Sequence, residues 1–289
     1  MRDMSVIFEA SGYSLLGPQA MNCSAPDEGN MHMLEVVANS EQKEKWLRPL
    51  AKAEIRSCFS MTEPSPGAGS DPTMLQTTAK KTSKGWLING EKWFITGFNG
   101  AKLNIIMAKT SDKIEKGFGA TMFLVDNDDP AIIKIRTQNS MESSFPGGHC
   151  QIKFKDLLVS DDQVLGEVGQ GYKYAQVRLA PARLTHCMRW LGAAQRAHDI
   201  ATSYASKRHA FGKAIGEHGG LAFQLTDNEI DIQMSRLFIW NTAWLLDQGE
   251  QARNESSMSK IFCSEAAFRI VDRAMQTLGG MGITDDTLV

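Results

Sequence analysis

The hydrophobic period of this 289-residue chain changes twice, and those two changes restrict what it can fold into. From about Met1 to Glu54 apolar residues recur at helical spacing, though with interruptions. From Arg56 to about Ser160 the period falls to two, in short runs such as Ala101 to Thr110, Gly119 to Asp126 and Cys150 to Leu158 separated by Gly, Pro and Asp clusters. From Gly171 onward helix returns in three long blocks, with Pro181 predicting a bend in the first. Helices, then an all-β insert, then long antiparallel helices is an α+β order rather than an alternating α/β one. The expected divisions are a partial N-terminal helical region over 1–55, a central antiparallel β domain over 56–160 and a C-terminal antiparallel helix bundle over 161–289.

Local signals refine this reading. Ser40 to Ala53 opens on Ser-x-x-Lys rather than a full capping box and sets Trp46, Leu47 and Leu50 on one face, with Pro49 ending or kinking the helix. Asn89-Gly90 lies between β-prone residues and predicts a hairpin turn, because both positions tolerate positive φ. Leu225, Ile232, Leu237, Trp240 and Trp244 recur at helical intervals, as do Ile261, Phe268, Val271, Met275 and Leu278.

Charge and cysteine content exclude several function classes. Thirty-one Lys and Arg nearly balance 33 Asp and Glu, a net charge of −2, which supplies no general field for nucleic acid or an acidic membrane. Five dispersed cysteines without a CxxC pair suggest neither a disulfide framework nor zinc, and fit a reducing intracellular compartment. His149, His186, His198 and His218 lack a second ligand at metal spacing, so no metal is expected. The opening MRDMSVIFEASGYSLL is too broken for a signal peptide, and no apolar run reaches the roughly 20 residues that span a bilayer, so no membrane insertion is expected. Lys80-Lys81 and Lys113 to Lys116 read as short exposed charges.

The densest unusual stretch is Met61-Thr62-Glu63-Pro64-Ser65-Pro66-Gly67-Ala68-Gly69-Ser70-Asp71-Pro72, at the end of a predicted strand. Its prolines stiffen it and its glycines let backbone NH groups approach a ligand; a Pro/Gly loop without a ligand is the plainer reading. Neither a Walker loop nor a G-x-G-x-x-G strand-to-helix turn is present. Gln276-Thr277-Leu278-Gly279-Gly280 reads by itself as a helix C-terminus with a left-handed cap.

Taken in order, four blocks resemble the acyl-CoA dehydrogenase family: Thr62-Glu63-Pro64 with Gly69-Ser70-Asp71, Trp93-Phe94-Ile95-Thr96, Arg208-His209-Ala210-Phe211-Gly212, and Gln276 with Gly279-Gly280. The stretches Ala25 to Met31 and Leu179 to Arg183 resemble a subgroup whose eukaryotic relatives can carry a fused kinase-like domain. The resemblance implies an FAD held between the β domain and the helical bundle. Phe59, Met61, Thr62, Gly69, Ser70, Phe94, Ile95 and Thr96 would face the ring, with Phe94 packing on it and Thr96 bonding near N5. Arg208, Phe211, Gln276, Gly279 and Gly280 would meet the pyrophosphate and adenine part of a neighbouring subunit's cofactor, which implies a homodimer or homotetramer. Ser70 and Arg183 would meet the acyl-CoA.

The implied activity is α,β-dehydrogenation of an acyl-CoA thioester in fatty acid metabolism, with electron-transfer flavoprotein as acceptor, in the cytoplasm or mitochondrial matrix. The pattern has departures. Ser65-Pro66 adds two residues to the loop, and Gly219 stands where a glutamine often touches the adenosine half. The family's glutamate base has no counterpart: it usually lies beyond the Gly-Gly block, and its other position, just before the arginine, is Ala182. The catalytic base is therefore unassigned, and Glu63 and Asp71 read as loop-fixing groups. The expectation is a chain truncated at both ends, with two alternatives to the dehydrogenase: a non-catalytic fragment that binds flavin or acyl-CoA, or a flavin-dependent oxidase or monooxygenase relative.

Overall fold

The computed structural model describes residues 1–111, 119–141 and 147–289, so the charges at Lys113 to Lys116 lie outside the described residues. Its helices are α1 (Arg2–Tyr13), α2 (Gly17–Ala20), α3 (Asp27–Val37), α4 (Ser40–Gln42), α5 (Arg48–Ala51), α6 (Gly171–Lys207), α7 (Gly219–Asp247) and α8 (Arg253–Leu278). Its strands are β1 (Arg56–Ser60), β2 (Thr78–Thr82), β3 (Gly85–Thr96), β4 (Ala101–Lys109), β5 (Ala120–Asp126), β6 (Ile132–Thr137), β7 (His149–Val159), β8 (Val164–Leu165), β9 (His209–Ala210) and β10 (Lys213–Ala214). This is the expected α+β order of helices, sheet and long helices. The chain forms two compact units, one of Ser24–Leu179 and one of Met1–Cys23 with Ala180–Val289.

In the unit Ser24–Leu179 the sheet runs β6-β7-β3-β2-β4-β5-β8, with β1 beside β4. Most pairs are antiparallel, but β1 and β2 each pair with β4 in parallel. Strand β4 is buried on both faces, which explains its nearly continuous apolar run. Leu103, Ile105 and Met107 meet Met33, Leu34, Trp46 and Leu50 from the preceding helices. Ile106 and Ala108 point the other way, into a core shared with Ile88 and Ile95 of β3 and Ile152 and Phe154 of β7. Because α3 to α5 bury their apolar faces on the sheet, contacts divide the chain at 23/24 and 179/180, whereas the sequence period changes near 55 and 160.

Two local expectations are corrected here. Asn89-Gly90 is not a hairpin turn: both residues lie inside the 12-residue strand β3, at a register shift between Ile88 and Gly90. Asn89 exchanges hydrogen bonds with Asp156 of β7 (3.0 and 2.9 Å). Gly90 has φ +154°, and a Cβ there would sit 2.4–2.7 Å from Thr77, so the glycine serves close packing at a bulge rather than a reversal. The chain turns instead between Thr82 and Gly85. The second correction concerns the cap of α4. Asn39, not Ser40, is the N-cap, and it forms a full capping box with Gln42. A π turn over Lys43–Leu47 follows, and Pro49 sits in the first turn of α5, where its missing N–H is tolerated.

In the other unit α1 and α6 to α8 pack around Phe8, Leu184, Met188, Leu191, Ile232, Ile239 and Ile270. Helix α6 runs through Pro181 as one element. α1 crosses α6 closely, since a Cβ at Gly12 would lie 2.1 Å from the Arg189 carbonyl oxygen and one at Gly192 2.0 Å from that of Glu9. The core faces of α7 and α8 coincide only in part with those the large residues mark: Ile232 and Leu278 are buried as their spacing implies. Ser235, Thr242 and Ala243 of α7, and Ser259, Cys263, Ala266 and Ala274 of α8, are buried. Leu237, Trp240, Trp244, Ile261 and Phe268 are exposed. Each helix thus turns inward a face of isoleucines and small residues and carries a second, large apolar face turned outward. Among the described residues no helix is long and apolar enough to cross a membrane.

Candidate functional site

Strand β1 delivers the chain to the Met61–Pro72 loop, and a buried carboxylate holds that loop in shape. Glu63 accepts hydrogen bonds from the backbone N–H groups of Ala68 (3.2 Å), Gln76 (2.7 Å) and Thr77 (2.9 Å). It also accepts one from Lys92 Nζ at 2.9 Å, and this lysine, fully buried, donates equally to the Met61 carbonyl. Burial works against ionising Glu63, but Lys92 and the amide donors outweigh it and hold the carboxyl below its usual range. Burial is the larger influence on Lys92 and pulls its pKa down to about 8. Asp71 faces solvent and caps the turn Pro72–Met74 through Thr73 N (2.9 Å). Both acidic residues therefore shape the loop.

The loop is stitched to the end of β3. Thr62 Oγ1 donates to the Trp93 carbonyl (2.7 Å) and Trp93 N donates to that of Thr62 (3.1 Å). Within this strand end the β3–β7 register shifts between Lys92 and Ile95, and Phe94 adopts φ +52°. A left-handed phenylalanine is strained, and such strain gathers at ligand sites. Here it turns a large ring outward, 55% exposed, while Phe94 N donates to Gln138 Oε1 (3.0 Å). Ile95 is fully buried in the sheet core, so only its backbone can reach a ligand. Thr96 Oγ1 lies 3.0 Å from His149 Nδ1.

Two cavities open around these residues. One, of about 190 Å³, is lined by Pro26, Phe59, Met61, Thr62, Phe94, Thr96 and Arg178. The other, of about 110 Å³, is lined by Met61, Gly69, Ser70, Pro72, Tyr172 and Gln176 among others. The fold thus brings together Phe59, Met61, Thr62, Phe94 and Thr96 at one cavity, and Met61, Gly69 and Ser70 at the other. No carboxylate lines either cavity among the described residues. An exposed aromatic face, two hydroxyls and a guanidinium in the first cavity suit a flat heterocycle with a polar edge.

The remaining candidates belong to the helical unit. Arg183 is exposed and follows the buried Ala182. Arg208 directly follows α6 and is exposed. Phe211, 94% exposed with φ +52°, tips the β9–β10 turn. Gln276 lies exposed near the end of α8, which Gly279 closes at φ +60°. Sequence reasoning missed three functional-looking groups of the sheet unit: Lys92, His149 as a partner of Thr96, and Arg178. Lys92 follows Glu91 in a run that reads as ordinary strand, and nothing local marks its partner 29 positions earlier.

Comparison with known proteins gives a consistent picture. Residues 58–157 match the family model of the acyl-CoA dehydrogenase middle domain, and residues 169–289 that of the acyl-CoA dehydrogenase C-terminal domain. FadE2 of Mycobacterium tuberculosis, described as a probable acyl-CoA dehydrogenase, is 36% identical over 96% of this chain and 70% of its own length. Acyl-CoA dehydrogenase family member 11 of Gallus gallus is 35% identical over 98% of this chain, which spans only 37% of that longer protein. A solved structure from Mycobacterium abscessus, assigned as an acyl-CoA dehydrogenase, superposes with a TM-score of 0.94 at 36% identity, over 99% of this chain and 71% of its own. PigA with FAD and proline superposes with a TM-score of 0.88 at 27% identity, over 99% and 74%.

Proposed function

We propose, for a chain that belongs to the acyl-CoA dehydrogenase family, that the cavity bounded by Phe94, Thr96 and Thr62 receives the ring of FAD and that the Ser70 cavity receives an acyl-CoA. The observation that carries this reading is the left-handed, exposed Phe94 set beside Met61, Thr62 and Thr96 in one cavity. FAD is also the ligand of the structurally similar PigA. When bound, FAD supplies the acceptor for the two electrons and the hydrogen that leave the β-carbon of the substrate. Phe94 gives the ring a flat apolar support, and Thr96 and Thr62 offer hydroxyls to its polar edge, with His149 fixing the side chain of Thr96. Ser70 and Arg183 contact the acyl-CoA. Arg208, Phe211, Gln276, Gly279 and Gly280 take the pyrophosphate and adenine part of a cofactor bound to a second copy. The outward apolar faces of α7 and α8, with Trp240, Trp244 and Phe268, suit a homodimer or larger assembly. Electron-transfer flavoprotein is the proposed acceptor.

A second reading has its own support. Removal of the α-proton needs a base near the substrate carbonyl. Ala182 offers none, and the described walls of both cavities hold no carboxylate. The 289-residue chain itself is then a binder of flavin and acyl-CoA without turnover. Loading the chain with FAD, removing free cofactor and adding an acyl-CoA anaerobically separates the readings. Retained flavin that bleaches supports dehydrogenation; retained flavin whose spectrum shifts without bleaching supports binding alone. A chain that retains no flavin refutes both.

A further inference from the structure

Arg178 brings a cation into a cavity that is otherwise apolar and hydroxylic. Its place is set by three neighbours. Nε donates to Asn30 Oδ1 at 2.7 Å, Nη2 makes a long contact to the Pro26 carbonyl at 3.4 Å, and the guanidinium carbon lies 4.4 Å from the centre of the Phe59 ring. Asn30 cannot flip freely, because its amide nitrogen donates to Ser57 Oγ (2.8 Å), which in turn donates to Asp27 (2.6 Å). The chain Asp27–Ser57–Asn30 therefore points a carbonyl oxygen at Arg178 and fixes the plane of the guanidinium.

No carboxylate reaches Arg178 within ion-pair distance among the described residues. Glu28 and, less strongly, Asp27 favour the cation by their charge, and Asp27 is already engaged by Arg56 (3.2 Å) and by the Ser57 amide (2.8 Å). Burial pulls the pKa of Arg178 down to about 10, still far enough above neutrality to leave it charged. A buried cation whose direct hydrogen-bond partners are the neutral Asn30 and Pro26 oxygens costs stability, and a ligand that gains negative charge beside it offsets part of that cost.

We propose that Arg178 is a cofactor-tuning residue: its fixed positive charge, oriented by Asn30 and Phe59, favours the reduced over the oxidised flavin bound in this cavity. This rests on the flavin reading given above. Two-electron reduction adds negative charge to the ring system, so a nearby permanent cation stabilises the reduced form more than the oxidised one. Arginine suits the task better than lysine because its planar group stacks on Phe59 while remaining charged.

The test is the midpoint potential of the bound flavin, measured by anaerobic dye equilibration on FAD-loaded wild type, Arg178→Met and Arg178→Lys. Arg178→Met is expected to lower the equilibrium constant for reduction at least tenfold, about 30 mV for a two-electron couple. Arg178→Lys, which keeps charge but loses the stack, is expected to recover most of that loss. An unchanged potential in Arg178→Met overturns the proposal, as does an Arg178→Lys potential as low as that of Arg178→Met, which would assign the residue to packing. Should Arg178→Met not retain flavin, Arg178→Gln against Arg178→Lys makes the same comparison of charge. A wild-type chain that retains no FAD refutes the flavin reading instead, so the two failures are distinguishable.

Discussion

Replacing Lys92 by methionine isolates the device that holds the loop. The substitution keeps the aliphatic stem and removes only the ammonium group, leaving Glu63 charged and buried with its side chain 2% exposed. Removing one member of a buried ion pair costs about 3–5 kcal/mol, most of it the penalty of the stranded partner. Glu63 keeps its three amide donors, which places the expected loss near about 3 kcal/mol. At about 2–4 °C per kcal/mol, the melting temperature falls by about 6–12 °C. Urea denaturation followed by tryptophan fluorescence reads the same loss as a lower midpoint with an unchanged slope. The double variant Glu63→Gln/Lys92→Met removes the stranded charge and keeps an acceptor for the neighbouring amides, so it regains roughly half or more of the loss. A Lys92→Met protein within about 0.5 kcal/mol of wild type refutes the reasoning, as does a double variant no more stable than the single one.

Acid should act on the same pair: Glu63 has a folded pKa below its unfolded value near 4.5, so its contribution is complete above that pH and is lost as pH falls through the folded value. Urea midpoints taken from about pH 7 to about pH 3 should drop more steeply for wild type than for Glu63→Gln, and parallel curves would refute the assignment. Gly90→Ala places a Cβ against Thr77 and should cost about 1–3 kcal/mol in the same urea assay, whereas a turn at Asn89-Gly90 with an open flank would accept alanine more readily. Phe211→Ala removes an exposed ring, so stability should stay within about 0.5 kcal/mol while FAD affinity, measured by calorimetry, falls about tenfold; unchanged affinity would remove Phe211 from the cofactor site.

What the sequence determined by itself is the order of periods and the chemistry of the loop. Alternation between Arg56 and Ser160, with helical spacing on both sides, is a local property of the chain, and it specified the α+β order. The density of Pro, Gly and Ser from Met61 to Pro72 marked a structured loop, and the folded chain joins that loop to Trp93 through Thr62. Tertiary structure decided the rest. Asn89-Gly90 has the composition of a hairpin turn, yet Asp156 and Thr77, remote in sequence, hold it in a strand. Trp240 and Phe268 have the spacing of core residues, yet the helices turn inward Ile232, Ile239 and Ile270 together with alanines and serines, whose small side chains allow closer packing. The partners of Glu63 and Arg178 stand 29 and 148 positions away, distances over which periodicity and propensity carry no information. A charge becomes structural or functional only when folding removes it from water, and that depends on which distant segments close over it.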